Sequence, residues 1–312
     1  MSAVVQPAVD GDGVSRVALA ELIALRSRVG RARMASLPSH AARHGEQSSR
    51  LYGRGMDYAE SRIYQPGDDV RRLDWRLAAR SGKLHTKLFQ EDREGCLLVV
   101  LDTHASMRFG TRARFKSVQA ARAAACAAWF AVRAGERVGA MAFGAVTRWL
   151  RPQAGPRGAL ALCGALAEWD ALAAHGNGVE PLSEALPRAG RVLHGANRVL
   201  VVSDGFSTDP AARQRLLELR RQVGVSVLVV ADALERALPP PGRYPLAHAG
   251  ERCEVVLRGE RQRREFQQVL GAGAARLGRL ADDTGTRWRE IDTEADPLAA
   301  VAAVLGAPRS RR

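Results

Sequence analysis

The chain has 312 residues, a formal net charge of +14, 46% hydrophobic residues and 26% charged residues. These values exclude wholesale disorder and leave room for one large domain with a sizeable core. No stretch approaches the ~20 apolar residues of a membrane span, and Cys96, Cys126, Cys163 and Cys253 lack the short spacing of a zinc or redox motif.

Residues 1–14, with Pro7, Gly11 and Gly13, read as a flexible tail with no signal-peptide pattern. A cytoplasmic protein is therefore expected, with any contact at the inner membrane made through a partner. Leu19, Leu22, Ile23 and Arg26 fall at helical spacing, with Ser15 as the expected cap. Residues 45–95 carry Gly53, Gly55, the turn Pro66-Gly67-Asp68 and alternating segments near 58–64 and 84–89, which predict a small β-rich segment.

The rhythm changes at Cys96. CLLVVLD (96–102), RVGAMAFG (137–144), RVLVVSDG (198–205) and VSVLVVAD (225–232) are buried strands without polar alternation. Helical patterns separate them: from Phe115 to Gly135, over 157–172 and 180–194, and from Pro210 to Gln222. Phe266, Val269, Leu270, Ala274, Leu277 and Leu280 predict one long amphipathic helix, RWREI (287–291) a last strand, and Asp296-Pro297 the start of a final helix. Cys96 and Cys126 fit small buried hydrophobes, which suits a reducing compartment. The pattern is α/β, with a doubly wound, mainly parallel sheet. The expected divisions are a tail at 1–14, a helix plus β-rich segment at 15–94, a sheet domain at 95–245, and completing elements at 246–312.

Ligands of such sheets bind beyond the carboxyl ends of the strands. Two strands end there in aspartate: Asp102-Thr103-His104-Ala105-Ser106 and Ser203-Asp204-Gly205. Carboxylate and hydroxyl oxygens converging in this way suit a hard cation such as Mg²⁺. The stretch resembles the metal-ion-dependent adhesion site of the von Willebrand factor A fold, Asp-x-Ser-x-Ser. Asp102, Ser106 and Asp204 match that pattern. His104 stands where the first serine belongs, and Glu180 takes the place of the threonine. The resemblance implies a degenerate site with a possible Mg²⁺ or other divalent ion; the alternative is Asp102 capping backbone amides and His104 bonded to a neighbouring loop. Alanine at both Asp102 and Asp204 is expected to leave the fold largely intact.

Residues 53–94 carry a denser signature: Gly53 and Gly55, Glu60 to Tyr64, Pro66 to Arg71, Asp74-Trp75, Ala79-Arg80 and Lys87 to Phe89. It resembles the bacterial family called domain of unknown function 58, and the resemblance continues through 107–117, 135–144 and 232–244. One departure is Ser61, between Glu60 and Arg62. The resemblance implies a non-catalytic scaffold or adaptor that works with a MoxR-type AAA+ ATPase and other von Willebrand A proteins in assembling or activating a client complex. In physical terms, Pro66-Gly67 suits the centre of a type II turn. Asp68, Asp69 and Asp74 interleave with Arg71, Arg72, Arg76 and Arg80, which favours Arg–carboxylate pairs over a packed Trp75 ring. Arg62, Tyr64, Gly67, Asp68, Asp69, Arg71, Asp74, Trp75, Arg80 and Lys87 then form either an internal clamp or a docking surface.

Two other functions are weighed. A haloacid dehalogenase-type phosphotransferase would use Asp102 with Mg²⁺, but its second catalytic aspartate is replaced by His104. A nucleic-acid binder would rest on charge alone, since the arginines are dispersed and aromatics make up only 5%. No phosphate-binding Gly-rich loop occurs, and Ser106 lacks the Gly-x-Ser-x-Gly elbow.

Overall fold

The computed structural model describes residues 11–31, 56–66, 68–91, 95–192, 197–248 and 251–306. The chain divides into two compact units, one of residues 1–38 with 96–312 and one of residues 39–95.

The larger unit is built on β3 (Cys96–Asp102), β4 (Arg137–Phe143), β5 (Arg148–Gln153), β6 (Arg198–Ser203), β7 (Gly224–Ala231) and β10 (Arg287–Asp292). Among the described residues they form one sheet of order β10-β7-β6-β3-β4-β5. All neighbours run parallel except β5, which pairs antiparallel with β4. This is the α/β class expected: a mainly parallel sheet with helices on both faces.

Successive side chains of β3 point to opposite faces, which is why the strand reads as an uninterrupted apolar run. Leu97, Val99 and Leu101 enter one core with α1 (Leu19–Arg31), α3 (Lys116–Arg133), α4 (Gly155–Ala173) and α10 (Pro297–Leu305). Leu98 and Val100 enter the other with α5 (Leu182–Val192), α6 (Ala212–Gln222) and α9 (Ala272–Asp283). Asp296 caps α10 as expected, accepting from Leu298 N at 3.2 Å. Cys96 and Cys126 are fully buried.

Several elements differ from expectation. Strand β5 and the antiparallel hairpin of β8 (Gly242–His248) and β9 (Glu251–Leu257) were not expected. The long amphipathic helix is two helices, α8 (Glu260–Leu270) and α9, that meet at Gly271. Ser15 does not cap α1; its amide and hydroxyl both donate to Asp12, at 2.8 Å each. The buried face of α1 is Leu22, Leu25 and Val29, while Ile23 is exposed.

The helix α1, grouped by sequence with the signature segment, lies in the larger unit. Its backbone is held there by Trp129 Nε1, which donates to Leu22 O at 3.1 Å, and by Arg133 Nη1, which donates to Val29 O at 2.7 Å. Glu21 pairs with Arg114 and Arg122 of the neighbouring segment.

The smaller unit holds an antiparallel hairpin of β1 (Met56–Ile63) and β2 (His85–Glu91), with a short 3₁₀ turn at Val70–Arg72 and α2 (Trp75–Ser81) between them. Its β character matches the sequence reading.

Leu22 is completely buried beneath α3, so Leu22→Ala is expected to lower unfolding free energy by about 2–5 kcal/mol, read by urea denaturation. A loss within the scatter of surface substitutions would detach α1 from the core.

Candidate functional site

Adjacent parallel strands place the two acidic loops side by side. Leu101 of β3 pairs with Val202 of β6, so Asp102 and the Ser203-Asp204 step leave the same edge of the sheet together. Asp102, Asp204 and His104 are thereby brought to one place.

The Asp102 carboxylate is buried and its acceptor sites are in use. One oxygen, Oδ1, accepts from His104 N at 2.9 Å and from His104 Nδ1 at 2.7 Å. The other, Oδ2, accepts from Ser203 Oγ at 2.6 Å and Ser207 Oγ at 2.9 Å. Burial pushes the Asp102 carboxyl upward, but the hydrogen bonds and charge of His104, with the Ser203 hydroxyl, outweigh it and hold it below its ordinary value. For His104, burial works downward and loses to Asp102, Asp204 and Glu180, so the imidazole titrates above its ordinary value. The ring reaches Asp102 because position 144 is glycine. At φ +98°, a Cβ there would lie 2.5 Å from Nδ1.

Glu180 does stand in the neighbourhood, as the alignment with the adhesion motif implied. It forms an ion pair with Arg188 at 2.8 Å, and Gly144 N approaches its Oε2 at 3.5 Å. Ser106 follows in a short 3₁₀ turn, and its Oγ is buried without a hydrogen-bond partner among the described residues.

Asp204 does not face Asp102 as half of an open carboxylate pair. Its Oδ2 accepts from Lys116 Nζ at 2.9 Å, and its Oδ1 accepts from Phe206 N at 3.1 Å. The same ammonium donates to Glu235 at 2.6 Å, and the rings of Phe109 and Phe206 lie 5.5 and 5.4 Å from it. Lys116 is only 1% exposed. Desolvation works against its charge, but Asp204 and Glu235 outweigh that and raise its titration. Asp232, at the end of β7, is likewise filled, by Thr111 N at 3.0 Å, Thr111 Oγ1 at 2.5 Å, Leu234 N at 3.0 Å and Thr293 Oγ1 at 3.0 Å.

Lys116, Glu235, Ser207 and Asp232 were absent from the sequence reading of the site. Two signals were available. Lysine occurs only at positions 83, 87 and 116 of an arginine-rich chain, and a compact ammonium fits between two carboxylates where a guanidinium fork would not. Asp232 and Glu235 also form a capping box over α7 (Ala233–Arg236).

This donor set suits Mg²⁺ poorly. The ion needs octahedral oxygen ligands and disfavours imidazole, whereas both aspartates here already hold protein donors. Among the described residues, no three His, Cys, Asp or Glu side chains cluster as ligands. Removing Asp204 would strip the buried Lys116 ammonium of one counter-charge, so alanine at Asp102 and Asp204 is now expected to lower stability by about 3–5 kcal/mol.

In the signature unit, Asp68 pairs with an arginine outside the expected set. Arg62 Nη2 lies 2.7 Å from it, and Asp68 also accepts from Gln65 N at 3.0 Å and Thr86 Oγ1 at 3.2 Å. Asp68 N donates to Gln65 O at 3.0 Å, closing the turn around Pro66; Gly67 itself lies outside the described residues. Asp69 accepts from Arg71 N at 3.0 Å and Asp74 from Leu77 N at 3.1 Å. These two aspartates therefore cap a 3₁₀ turn and a helix. Trp75 does not pack beneath arginines: it is 67% exposed. Arg71 and Arg80 are exposed as well. Tyr64 N donates to Leu84 O at 2.9 Å. Lys87 pairs with Ser61 in the hairpin, and its side chain lies outside the described residues.

Beside the aspartates, on the same edge of the sheet, lies a groove of about 840 Å³ between the 105–116 and 233–247 segments. Phe115, Phe206, Leu238, Pro240, Tyr244 and Leu246 are among its walls.

The sequence profile of a family described as "Protein of unknown function DUF58" matches residues 60–275. The uncharacterized protein Rv1480 of Mycobacterium tuberculosis is 41% identical over 98 residues, which is 31% of this chain and 31% of the relative's length. Among solved structures, the conserved hypothetical protein BatB from Bacteroides thetaiotaomicron aligns with TM-score 0.43 and 16% identity, over 67% of this chain and 95% of that one. An aerotolerance-related membrane protein from Bacteroides fragilis aligns with TM-score 0.42 and 14% identity, over 67% and 96%.

The Asp102–His104 pair sets a pH window. His104 titrates above its ordinary 6.5, so its contribution is full below that value and is lost as pH rises through the folded one. Asp102 titrates below its ordinary 3.8, so its contribution is present above that value and is lost as pH falls through the folded one. The stability advantage of wild type over His104→Asn, measured by urea unfolding across pH, is expected to be widest between these limits and to shrink toward alkaline pH. An advantage that grew with alkalinity would contradict the pairing.

Proposed function

The chain belongs to the DUF58 family, and from that premise we propose that it is a non-catalytic adaptor whose strand-end face recognises protein partners without a metal. One observation carries the reading. The carboxylates at the strand ends are occupied by donors of the chain itself: Asp102 by His104, Ser203 and Ser207, and Asp204 by Lys116. A nucleophilic aspartate needs an oxygen free to attack and a neighbouring acid for the leaving group. Asp102 has no free oxygen, since both accept hydrogen bonds from the chain, which weighs against the phosphotransferase alternative. A site so filled is rigid, and rigidity suits recognition.

The partner follows from the resemblance seen in the signature: a MoxR-type AAA+ ATPase acting with other von Willebrand A proteins on a client complex. Hydrolysis would be the ATPase's work, since the described strand-end face has no phosphate-binding loop. Among the described residues no helix is long and apolar enough to cross a membrane. Val179 is 84% exposed next to Glu180 and offers an apolar contact at the rim of this face.

The purified chain is expected to bind a purified MoxR-type ATPase of the same organism saturably in biolayer interferometry, with Val179→Asp weakening that binding about tenfold. It is expected not to hydrolyse p-nitrophenyl phosphate with Mg²⁺. Phosphate release abolished by Asp102→Asn would instead establish the phosphotransferase. Absence of any ATPase binding would overturn the partner.

A further inference from the structure

Asp68, Asp69 and Asp74 interleave with arginines in the sequence, yet the smaller unit turns these acids to other partners. Asp68 holds Arg62 and the Gln65 amide, Asp69 accepts from Arg71 N, and Asp74 accepts from Leu77 N. Acids engaged in this way leave the other cations of the segment without counter-ions. Arg71, Arg76, Arg80 and Lys83 are all exposed, and none of the four has an ion-pair partner among the described residues.

These cations stand beside exposed apolar side chains. Along α2, Trp75, Arg76, Ala79 and Arg80 are exposed while Leu77 and Ala78 are half-buried, so the helix turns one face outward. Arg76 and Arg80, four residues apart, lie one above the other on that face, a like-charge arrangement that is unfavourable until an anion offsets it. Arg80 Nε donates to Arg76 O at 3.4 Å, which uses one of the five guanidinium donors. Asp74 N donates to His85 O at 2.8 Å next to the antiparallel bridge of Leu73 with Thr86, and this sets the start of α2 level with Leu84. Trp75 and Leu84 are both exposed. Tryptophan and arginine are the side chains that dominate protein recognition surfaces.

We propose that this face of the signature unit docks an acidic segment of a partner protein, with carboxylates set against Arg76 and Arg80 and an apolar side chain laid on Trp75 and Leu84. Charge complementarity selects the occupant, because exposed guanidiniums without counter-ions take carboxylates in bidentate pairs. A second copy of a chain with net charge +14 is disfavoured against such a face. A single-stranded nucleic acid stacks successive bases on successive rings, and Trp75 is the one exposed aromatic side chain among the described residues of this unit. The proposal adds a second contact surface to the adaptor reading and rests on that reading only in taking a protein as the partner; it does not depend on that partner being the ATPase.

The test is panning of displayed short random peptides against the immobilised full chain. Recovered peptides are then measured by fluorescence anisotropy on wild type, on Trp75→Ala, and on Arg76→Glu with Arg80→Glu, all exposed positions whose fold is checked by circular dichroism. The peptides are expected to carry Asp or Glu beside an aliphatic or aromatic residue and to bind each variant about tenfold more weakly. Arg151→Glu with Arg157→Glu is the control. It changes the net charge equally at exposed positions of the larger unit and is expected to leave affinity unchanged. An equal loss in the control would reduce the effect to nonspecific attraction and overturn the proposal. Enrichment of basic or neutral peptides, or undiminished binding to the Trp75 and arginine variants, would do the same. Displacement of the peptides by a tighter-binding oligothymidine would give the face to nucleic acid, and a wild-type dimer in analytical ultracentrifugation that Trp75→Ala dissociates would give it to a second copy; either result overturns the proposal. ATPase binding and its response to Val179→Asp are read in a separate assay, so failure of this surface and failure of the adaptor reading remain distinguishable.

Discussion

A single ammonium organises the functional end of the molecule. Lys116 Nζ lies between Asp204, which follows β6, and Glu235, which follows β7, and it belongs to the first turn of α3, which follows β3. Three loops that are remote in sequence are thereby tied at one point. Burying such a charge costs several kcal/mol, and two carboxylates with good geometry offset most of that. The net gain in stability is small. The consequence for structure is larger, because any arrangement that separates the loops leaves an uncompensated charge in the interior.

Around that point the other strand-end groups are satisfied in the same way. His104 and two serines fill Asp102, and Thr111, Thr293 and the Leu234 amide fill Asp232. Close approach of the backbone makes the fit possible. Gly205, at φ +84°, lies so near α9 that a Cβ would stand 2.2 Å from Gly273 O. A face built from saturated hydrogen bonds and short contacts has little freedom to rearrange. The groove beside it shares the same floor, since Lys116 and Glu235 line both. The strand-end aspartates are therefore structural supports of the face that contains them.

Much of this fold was legible because burial on both faces of a parallel sheet leaves strands as continuous apolar runs. Strand β5 was not legible, for the opposite physical reason. As an edge strand it reads RWLRPQ, with alternating exposure and Pro152 within it. The hairpin of β8 and β9 is mostly exposed and offered no apolar run either. The break between α8 and α9 escaped because apolar spacing continues across Gly271. At the site, Asp102 and Asp204 could be found from the rule that ligands gather beyond strand ends. Their partners could not, because a lysine in a helix reads as a solvated charge until the topology sets two carboxylates beside it. Trp75 erred in the other direction: an aromatic among charges suggests packing, yet its ring stands in solvent.

In the proposed reading, side chains of the protein occupy the place that a divalent cation would take. Thermal unfolding of the purified chain during titration with MgCl₂ and MnCl₂ tests it most directly, since a ligand that binds the folded state raises the transition by mass action. No saturable rise in Tm is expected with either ion. A saturable rise that disappears in Asp102→Asn would contradict the account.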